Sequence, residues 1–420
     1  MRYEINRTIY FLLYCLPTYK ETVTYPAVLP LQKKTRLVTN IKIMSLTISV
    51  LSLLGTFLLS AAIGVFSISR IVDIAKKMHL YDQPNSRKIH SIPIPRLGGV
   101  SFIPAVFISL CTVAVLLSRL GYNLDTLYDS GSPQHFVAYI AGAVLLYSMG
   151  ILDDVRGVGY KIKFIVQIIS AVLLCISGLW IASFEHIFLI DKIPFWVGMP
   201  LTVFFVVYVT NAINLIDGID GLASGLSSIS LIVAIILCLM SGDILWAMLA
   251  IAFLGVVTVF FCFNVFGKKH KIFMGDTGSL TLGYTLSYIF LHFWQANPIW
   301  NPYLHNLGII MLSTLIIPMF DVVRVFMSRV RDNRNPFLPD KNHIHHKLMR
   351  TGMNGRQTMI SLLLLSVLFI VINYIVASYI SQTLIILINV LMYVVMHIII
   401  NYFIQKKEKE TGGRNWKKEF

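Results

Sequence analysis

Eleven long stretches of the chain carry almost no charged side chains, and they constrain its fold more than any other feature. A helix needs about 20 apolar residues to cross the ~30 Å hydrocarbon core of a bilayer. The stretches begin near Met44, Gly98, Phe136, Phe164, Val197, Leu222, Ile244, Ser279, Leu307, Met359 and Thr383. We therefore predict an all-α, polytopic integral membrane protein with about eleven transmembrane helices.

The composition excludes the soluble alternatives. Hydrophobic residues make up 56% of the 420 residues and charged residues only 13%, whereas a soluble domain carries about 25% charged residues to cover its surface. The same figures exclude disordered, collagen-like and coiled-coil chains. The five cysteines show no metal-ligand spacing and four lie in apolar stretches, so we interpret them as small core residues.

The positions of Lys and Arg predict the orientation. Counted in order along the chain, the odd-numbered loops and the C-terminal tail hold 26 of these residues, and the even-numbered loops hold two. Basic residues accumulate on the cytoplasmic side of a membrane, so we expect the odd-numbered loops and the C-terminus to be cytoplasmic. The net charge of +15 is thus attributed to topology, and no nucleic-acid partner is predicted.

Three regions follow from these patterns. Residues 1–43 form an N-terminal extension with seven Lys or Arg residues and one apolar stretch that is too short to span a bilayer. Eleven spans and a cytoplasmic C-terminus would place this extension outside, so it is either an unusual extension or translation starts at Met44. Residues 44–404 form the transmembrane domain, and residues 405–420 form a basic cytoplasmic tail.

Five aspartates lie at the predicted cytoplasmic ends of apolar stretches: Asp153, Asp154, Asp217, Asp220 and Asp276. No Lys or Arg in the sequence obviously neutralises them, and two such charges 4 Å apart repel by ~4 kcal/mol at an effective dielectric constant of about 20. Ionisable groups at membrane depth are costly and usually functional. We expect the cluster to hold a cation, and oxygen-only ligands favour Mg²⁺ over zinc.

The spacing around these acids leaves structural alternatives open. Asn211, Asn214, Asp217 and Asp220 recur every third residue in N-A-I-N-L-I-D-G-I-D-G-L-A, which predicts neighbours on one helix surface. A polar helix–helix interface followed by a turn would give the same pattern. The Asp153–Asp154 pair is also common in turns, and Asp276 in F-M-G-D-T-G-S-L could be an ordinary helix cap.

Two basic segments complete the predicted site. His343, His345 and His346 lie in N-P-F-L-P-D-K-N-H-I-H-H-K-L, which lacks further zinc ligands but suits a diphosphate or sugar phosphate. A solvated basic loop is the alternative. Residues 81–99 add Lys88 and three more basic side chains. Acids for a metal and bases for phosphates at a membrane boundary predict phosphoryl chemistry between a nucleotide and a lipid.

Five motifs in one order carry a family resemblance. They are P-I-P-R-L-G-G (93–99), G-I-L-D-D (150–154), the 211–223 stretch, F-N through G-D-T-G-S-L (263–280) and H-I-H-H (343–346). From about Met44 to Gly352 the chain resembles the polyprenyl-phosphate N-acetylhexosamine-1-phosphate transferases, within glycosyltransferase family 4, which include undecaprenyl-phosphate GlcNAc-1-phosphate transferase. It is more distantly similar to phospho-N-acetylmuramoyl-pentapeptide transferase.

The resemblance implies transfer of a sugar 1-phosphate from a UDP-sugar to a polyprenyl phosphate such as undecaprenyl phosphate. UMP is released, and Mg²⁺ is required, with Mn²⁺ as a substitute. Asp153, Asp154 and Asp276 are implied to be catalytic, with Asp153 deprotonating the lipid phosphate. The implied metal ligands are Asp154, Asp217 and Asp276. The implied substrate-binding residues are Lys88, Asn211, Asn214, Asp217, Asp220, Asn264, His343, His345 and His346.

The resemblance also implies a location in the bacterial inner membrane with a cytoplasmic site, and it leaves a homodimer open. Whether an aspartate attacks phosphorus or only activates the acceptor is left open too. GlcNAc is the expected sugar, with GalNAc, QuiNAc and FucNAc as alternatives, because Lys341 replaces an arginine of the family pattern and lysine makes no bidentate contact.

Two other functions fit the sequence less well. Ile344 interrupts the histidines, which are adjacent in the muramoyl-pentapeptide transferases, and this disfavours that activity. A cation-coupled transporter would carry its acids near the middle of the membrane, often within inverted repeats. The predicted acids instead lie at one face, which favours the transferase.

Overall fold

The structure is a computed structural model that describes residues 31–82, 93–122, 133–184, 192–268, 270–295, 306–335 and 342–410, with side chains from residue 47 onward. Within these ranges the helices are α1 Leu31–Lys77, α2 Phe102–Arg119, α3 Pro133–Arg156, α4 Tyr160–Ile176, α5 Phe195–Ile216, α6 Leu222–Ser241, α7 Ile244–Phe266, α8 Gly275–Gln295, α9 Leu307–Ser313, α10 Ile316–Arg331, α11 Ile344–Arg350, α12 Gly355–Val376 and α13 Gln382–Glu410. A 3-10 turn covers Gly98–Ser101, and β1 Tyr81–Asp82 pairs antiparallel with β2 Ile94–Pro95.

The predicted all-α polytopic membrane fold is confirmed. Each of the eleven apolar stretches coincides with one helix or with the consecutive helices α9 and α10. In the described part of the chain, eight helices are long and apolar enough to cross a membrane, and α9 with α10 makes a ninth if the pair is one span. Helix α4, with 17 residues, is shorter than these eight, and α8 is more polar than they are.

Helix α8 can contain many polar residues because it is surrounded by protein and not by lipid. Every residue from Thr277 to Trp294 is buried, against α3, α5, α9 and the 3-10 turn. The hydroxyls of Thr281, Thr285 and Ser287 donate to carbonyls one turn earlier at 2.7–2.8 Å. A polar side chain that bonds its own helix in this way carries no unsatisfied group into the interior.

Close backbone contacts seat the start of α8 against its neighbours. A Cβ on Gly99 would overlap the backbone of Gly278, and a Cβ on Gly150 would overlap the backbone of Thr277. Small residues at such contacts let helices approach within backbone distance. The Gly98–Gly99 pair and Gly150, which end and begin two of the sequence motifs, therefore fix where α8 begins.

Backbone hydrogen bonds join the segment before the 3-10 turn to the segment before α8. Phe273 N donates to Pro95 O at 2.7 Å, and Gly98 N and Gly99 N donate to Phe273 O and Met274 O at 2.9 and 2.8 Å. These bonds pair backbone groups of the two segments at a buried position. They also place Arg96 next to the N-terminus of α8.

The helices α9 and α10 meet at a bend of 63°. Pro318 is the third residue of α10 and has no N–H to donate to the carbonyl of Thr314, four residues earlier, so the helix breaks between the two. The bend directs α10 onto α5 and places Asp321 in a buried position.

We predict that Gly99→Ala destabilises the protein, because the added methyl group cannot avoid the backbone of Gly278. Overpacking of this kind costs about 1–3 kcal/mol, measured as a lower unfolding temperature of the purified protein in detergent. Gly55→Ala in α1 is the matched control, because a Cβ there meets nothing within 4 Å. Equal unfolding temperatures for both variants would show that the close contact is not rigid.

Candidate functional site

Asp154, near the end of α3, caps the N-terminus of α8. Its Oδ1 accepts from the backbone N of Asp276 at 2.9 Å, and its Oδ2 accepts from the N and Oγ1 of Thr277 at 3.0 and 2.6 Å. The first N–H groups of a helix have no partner within the helix, and a carboxylate also interacts favourably with the positive end of the helix dipole. Asp276 is thereby fixed relative to α3.

Gly275 permits this arrangement. It has a φ of +73°, in the left-handed region, and a Cβ on it would overlap the carbonyl of Arg96 and lie 2.5 Å from Asp154 Oδ2. Only glycine satisfies both conditions without strain. The G-D-T-G motif therefore encodes a turn that delivers two amides to Asp154 and one carboxylate to the site.

Lys163 on α4 bridges two of the predicted catalytic acids. Its Nζ lies 3.1 Å from Asp153 Oδ2 and 2.7 Å from Asp276 Oδ2, and Asp153 Oδ1 also accepts from Val158 N at 2.7 Å. The expectation that the acids have no basic partner is therefore wrong. The turn between α3 and α4 folds Lys163 back beside Asp153, and its contact with Asp276 joins residues 113 positions apart.

A second lysine pairs with the 211–223 motif. Lys271 Nζ lies 2.5 Å from Asp220 Oδ2 in a partly exposed ion pair. The prediction that Asn211, Asn214, Asp217 and Asp220 share one helix surface is wrong for the two aspartates. Helix α5 ends at Ile216, and Asp217 and Asp220 lie in the following turn. Gly221, with a φ of +77°, precedes α6 and is the left-handed residue that this turn requires.

The polar residues of that motif have different surroundings. Asn214 Nδ2 donates to Asp276 Oδ1 at 3.1 Å and to Ser279 Oγ at 2.8 Å. Asn211 Nδ2 instead donates to Gln167 Oε1 on α4 at 2.5 Å, which is the polar helix–helix contact that the spacing left open. Burial, followed by the charges of Asp276, Asp220 and Asp154, raises the pKa of Asp217 to about 7.

Asn264 connects the motif to the loop before α8. Its Oδ1 accepts from Gly221 N at 2.6 Å and its Nδ2 donates to Ile272 O at 2.9 Å. Both ends of the amide are satisfied by backbone, so the side chain holds two loops together at the wall of the site.

These elements surround a cavity of about 670 Å³. Of the predicted site residues, Asp154, Asn214, Asp217, Asp220, Asn264, Asp276 and His346 line it. Four basic side chains also face it: Arg96, Lys271, His346 and Arg356, the last from the start of α12. Asp153, Asn211, His343 and His345 are not in its lining, and Lys88 lies outside the described residues.

The three histidines have three different environments. His346 faces the cavity. His345 is 1% exposed, and its ring lies so close to Gly218 that a Cβ there would overlap it. Burial lowers the pKa of His345 well below its usual value, and the neighbouring His346 acts in the same direction. His343 is hydrogen-bonded to Asp321 on α10, with 2.8 Å between Nδ1 and Oδ2.

Three carboxylates could share a metal ion. Ligand oxygens of Asp153, Asp154 and Asp276 all lie within 4.8 Å of one another. Two of the three predicted ligands, Asp154 and Asp276, belong to this group. Asp217, the third, lines the same cavity but is not part of the group, and Asp153 is. The donors are all oxygens, which suits a hard divalent cation.

Four residues in or behind the site were not predicted from the sequence: Lys163, Lys271, Asp321 and Arg356. Lys163 and Lys271 each lie in a short basic segment with at least one other lysine. Nothing in the local sequence distinguishes them from those neighbours. Asp321 carried a usable signal, because it is a lone acid within the apolar run I-I-P-M-F-D-V-V, and acids in such runs are costly unless they have a role.

We predict that Lys163→Gln strengthens divalent-cation binding. The ammonium group competes with a cation for oxygens of Asp153 and Asp276, and each lost attraction at ~3–4 Å is of the order of 4 kcal/mol before solvation is repaid. Titration with Mn²⁺ followed by electron paramagnetic resonance measures the change. Lys161→Gln, on the exposed face of the same helix, is the control. Weaker binding by Lys163→Gln would mean that the lysine organises the acids instead.

We also predict that Gly218→Ala lowers the unfolding temperature, because the methyl group collides with the His345 ring. The double variant Gly218→Ala/His345→Ala should be no less stable than His345→Ala alone, since the colliding ring is gone. Additive losses in the double variant would place the strain elsewhere in the turn.

Comparison with known proteins gives one consistent result. Residues 136–293 match the model of the family described as Glycosyl transferase family 4. The chain is 32% identical over 298 residues to a probable undecaprenyl-phosphate N-acetylglucosaminyl 1-phosphate transferase of Bacillus subtilis (strain 168), covering 70% of this chain and 77% of the relative.

Two enterobacterial relatives agree. An undecaprenyl-phosphate alpha-N-acetylglucosaminyl 1-phosphate transferase of Yersinia pestis is 32% identical over 310 residues, covering 72% of this chain and 78% of the relative. The protein of the same description from Escherichia coli (strain K12) is 30% identical over 302 residues, covering 70% and 76%.

Proposed function

Because the chain belongs to glycosyl transferase family 4, we propose that it transfers a sugar 1-phosphate from a UDP-sugar to undecaprenyl phosphate and releases UMP. One observation carries the proposal: three carboxylates with ligand oxygens within 4.8 Å lie beside a cavity with four basic side chains. The names of the relatives support undecaprenyl phosphate as acceptor and N-acetylglucosamine as sugar.

The oxygen-only donor set fits Mg²⁺ as the cofactor, with Mn²⁺ as a substitute, because Mg²⁺ takes a few carboxylates and completes its shell with water and substrate phosphates. Asp154 and Asp276 would hold it, with the Asp153 carboxylate beside them in the same group of three. Bound there, Mg²⁺ would neutralise charge on the donor diphosphate. Asp217 faces the same space from the opposite loop, and we assign it to supporting this site.

The donor is bound by the basic half of the cavity. Arg96, His346 and Arg356 offer charge-assisted hydrogen bonds to the diphosphate, which are about twice as strong as neutral ones. Lys271 and Asp220, joined by their ion pair, border the same space as Asn214 and hold the nucleotide. A cavity of about 670 Å³ is large enough for a nucleotide sugar.

Asp153 acts on the acceptor. A phosphate monoester has a second pKa of ~6, so part of it is protonated near neutral pH. Asp153 takes that proton, and the freed phosphate oxygen bonds to the β-phosphorus of the UDP-sugar. The bond from that phosphorus to the bridging oxygen breaks, and UMP leaves. The acceptor reaches the site from the bilayer, with the site at the cytoplasmic face of the bacterial inner membrane.

The experiment is a transfer assay with purified protein, Mg²⁺ and undecaprenyl phosphate. Radiolabelled UDP-GlcNAc, UDP-GalNAc, UDP-QuiNAc and UDP-FucNAc are offered separately, and label extracted with lipid is counted. We expect transfer from UDP-GlcNAc, its loss with EDTA, its return with Mg²⁺ or Mn²⁺, and its loss in Asp276→Asn. No lipid-linked label from any sugar would refute the proposal.

We predict that Asp153→Asn lowers the turnover rate by about 10²–10⁴-fold, the usual contribution of a general base, with little change in KM for the UDP-sugar. Raising the pH well above the second pKa of the acceptor should recover part of the rate, because the phosphate then ionises unaided. Asp73→Asn, an exposed carboxylate on α1, is the control and should match the wild type.

A covalent mechanism makes different predictions for the same residue. If Asp153 attacks phosphorus, no pH restores the variant, and the wild type releases one UMP per site from UDP-sugar without acceptor. That burst would contradict the base assignment. Weaker UDP-sugar binding with normal turnover would contradict both roles.

A further inference from the structure

Asp321 joins α10 to the histidine segment through two hydrogen bonds and accepts a third from Arg324 on its own helix. Its carboxylate is 1% exposed. Oδ2 accepts from His343 Nδ1 at 2.8 Å, while Oδ1 accepts from Ile344 N at 2.9 Å and from Arg324 Nη2 at 2.8 Å. Arg324 also donates to the carbonyl of Asn342. One carboxylate and one guanidinium thus hold the three residues at which α11 begins.

The bond to Ile344 N makes Asp321 a helix cap supplied by another helix. Ile344 is the first residue of α11, so its N–H has no partner within the helix. His343, the residue before it, makes no side-chain capping bond of its own. Loss of Asp321 as an acceptor would therefore leave a buried N–H unpaired, which is more costly than the loss of an exposed bond.

The bond to His343 fixes which ring nitrogen carries the proton. A carboxylate only accepts hydrogen bonds, so Nδ1 is the protonated atom and Nε2 is directed away from Asp321. The ring of His343 then lies parallel to that of His345, with centroids 5.8 Å apart, and His345 lies 4.3 Å from His346. The row of three rings begins at Asp321 and ends at the cavity.

We infer that Asp321 is a positioning residue of the transferase: it sets the tautomer of His343 and the start of α11, so that His346 faces the cavity and His345 packs on Gly218. The inference rests on the proposed function, since it gives the histidine segment its task. Asp321 itself is not in the cavity lining and acts only through the histidines.

The test uses Asp321→Asn, which keeps the shape but replaces one accepting oxygen by a donating NH₂ group. The amide cannot accept from both His343 and Ile344, so the histidine ring should adopt the opposite tautomer. We expect kcat/KM for the UDP-sugar to fall about 10–100-fold, as for other residues that orient a functional histidine. Asp332→Asn, at the exposed end of the same helix, is the matched control and should retain wild-type activity.

Two further measurements separate positioning from general stability. In a double-mutant cycle, Asp321→Asn/His343→Ala should be no less active than His343→Ala alone, because the aspartate acts through that ring. In ¹⁵N spectra of histidine-labelled wild-type protein, the His343 signal, assigned by its loss in His343→Gln, should show a protonated Nδ1. In Asp321→Asn the proton should move to Nε2.

Activity of Asp321→Asn within twofold of the wild type would overturn the inference, as would losses that multiply in the double variant. If Asp321→Asn does not fold, the wild-type spectrum decides: a protonated Nδ1 supports the inference and an unprotonated Nδ1 overturns it. A wild type that transfers no sugar phosphate would refute the proposed function, while the tautomer measurement would still test the contact.

Discussion

A helix that begins inside a membrane protein leaves its first backbone N–H groups without acceptors in the helix. The rest of this structure depends on the acceptors that α8 receives from a neighbouring helix. Asp154 supplies the missing acceptors from α3, with bonds of 2.6–3.0 Å to Asp276 and Thr277. A buried N–H left without an acceptor would cost roughly 1–3 kcal/mol. The same bonds set the position of Asp276, so that stability and site geometry share one contact.

The structure uses this device twice. Asp154 holds the start of α8, and Asp321 holds the start of α11. The two capped segments meet through the Asp217–Asp220 turn, where Gly218 contacts the His345 ring. An acidic half and a histidine half, which come from distant parts of the chain, are thereby brought to one cavity. Neither half would keep its geometry if its capping carboxylate were removed.

Much of the fold could be predicted from the sequence, because a bilayer imposes a length and a polarity on every crossing. The exceptions have physical reasons. The sequence of α8 predicts a membrane span, but the helix is surrounded by protein. In that position its hydroxyl groups are tolerated. The three-residue spacing after Asn211 suggested one helix, yet α5 ends at Ile216 and the acids continue in a turn.

The side chains that line the candidate site could be predicted in part: its acids, and with them Asn214, Asn264 and His346. Asp154, Asp217, Asp220 and Asp276 do converge on one cavity, since all lie at helix ends on the same face. Their partners could not be found, because Lys163 reaches Asp276 across 113 residues of sequence. A lysine at the start of an apolar helix is otherwise an ordinary feature. Pairwise contacts of this range depend on helix packing, which the local pattern does not contain.

The proposed function requires attack at phosphorus and not at the sugar carbon, and the acids and basic side chains that would bind a diphosphate converge on one cavity. UDP-GlcNAc labelled with ³²P in the β-phosphate tests this directly, with undecaprenyl phosphate as acceptor. If the β-phosphorus is attacked, the label passes to the lipid and the released nucleotide is unlabelled UMP. Label recovered in released UDP, with unlabelled sugar on the lipid, would contradict the account.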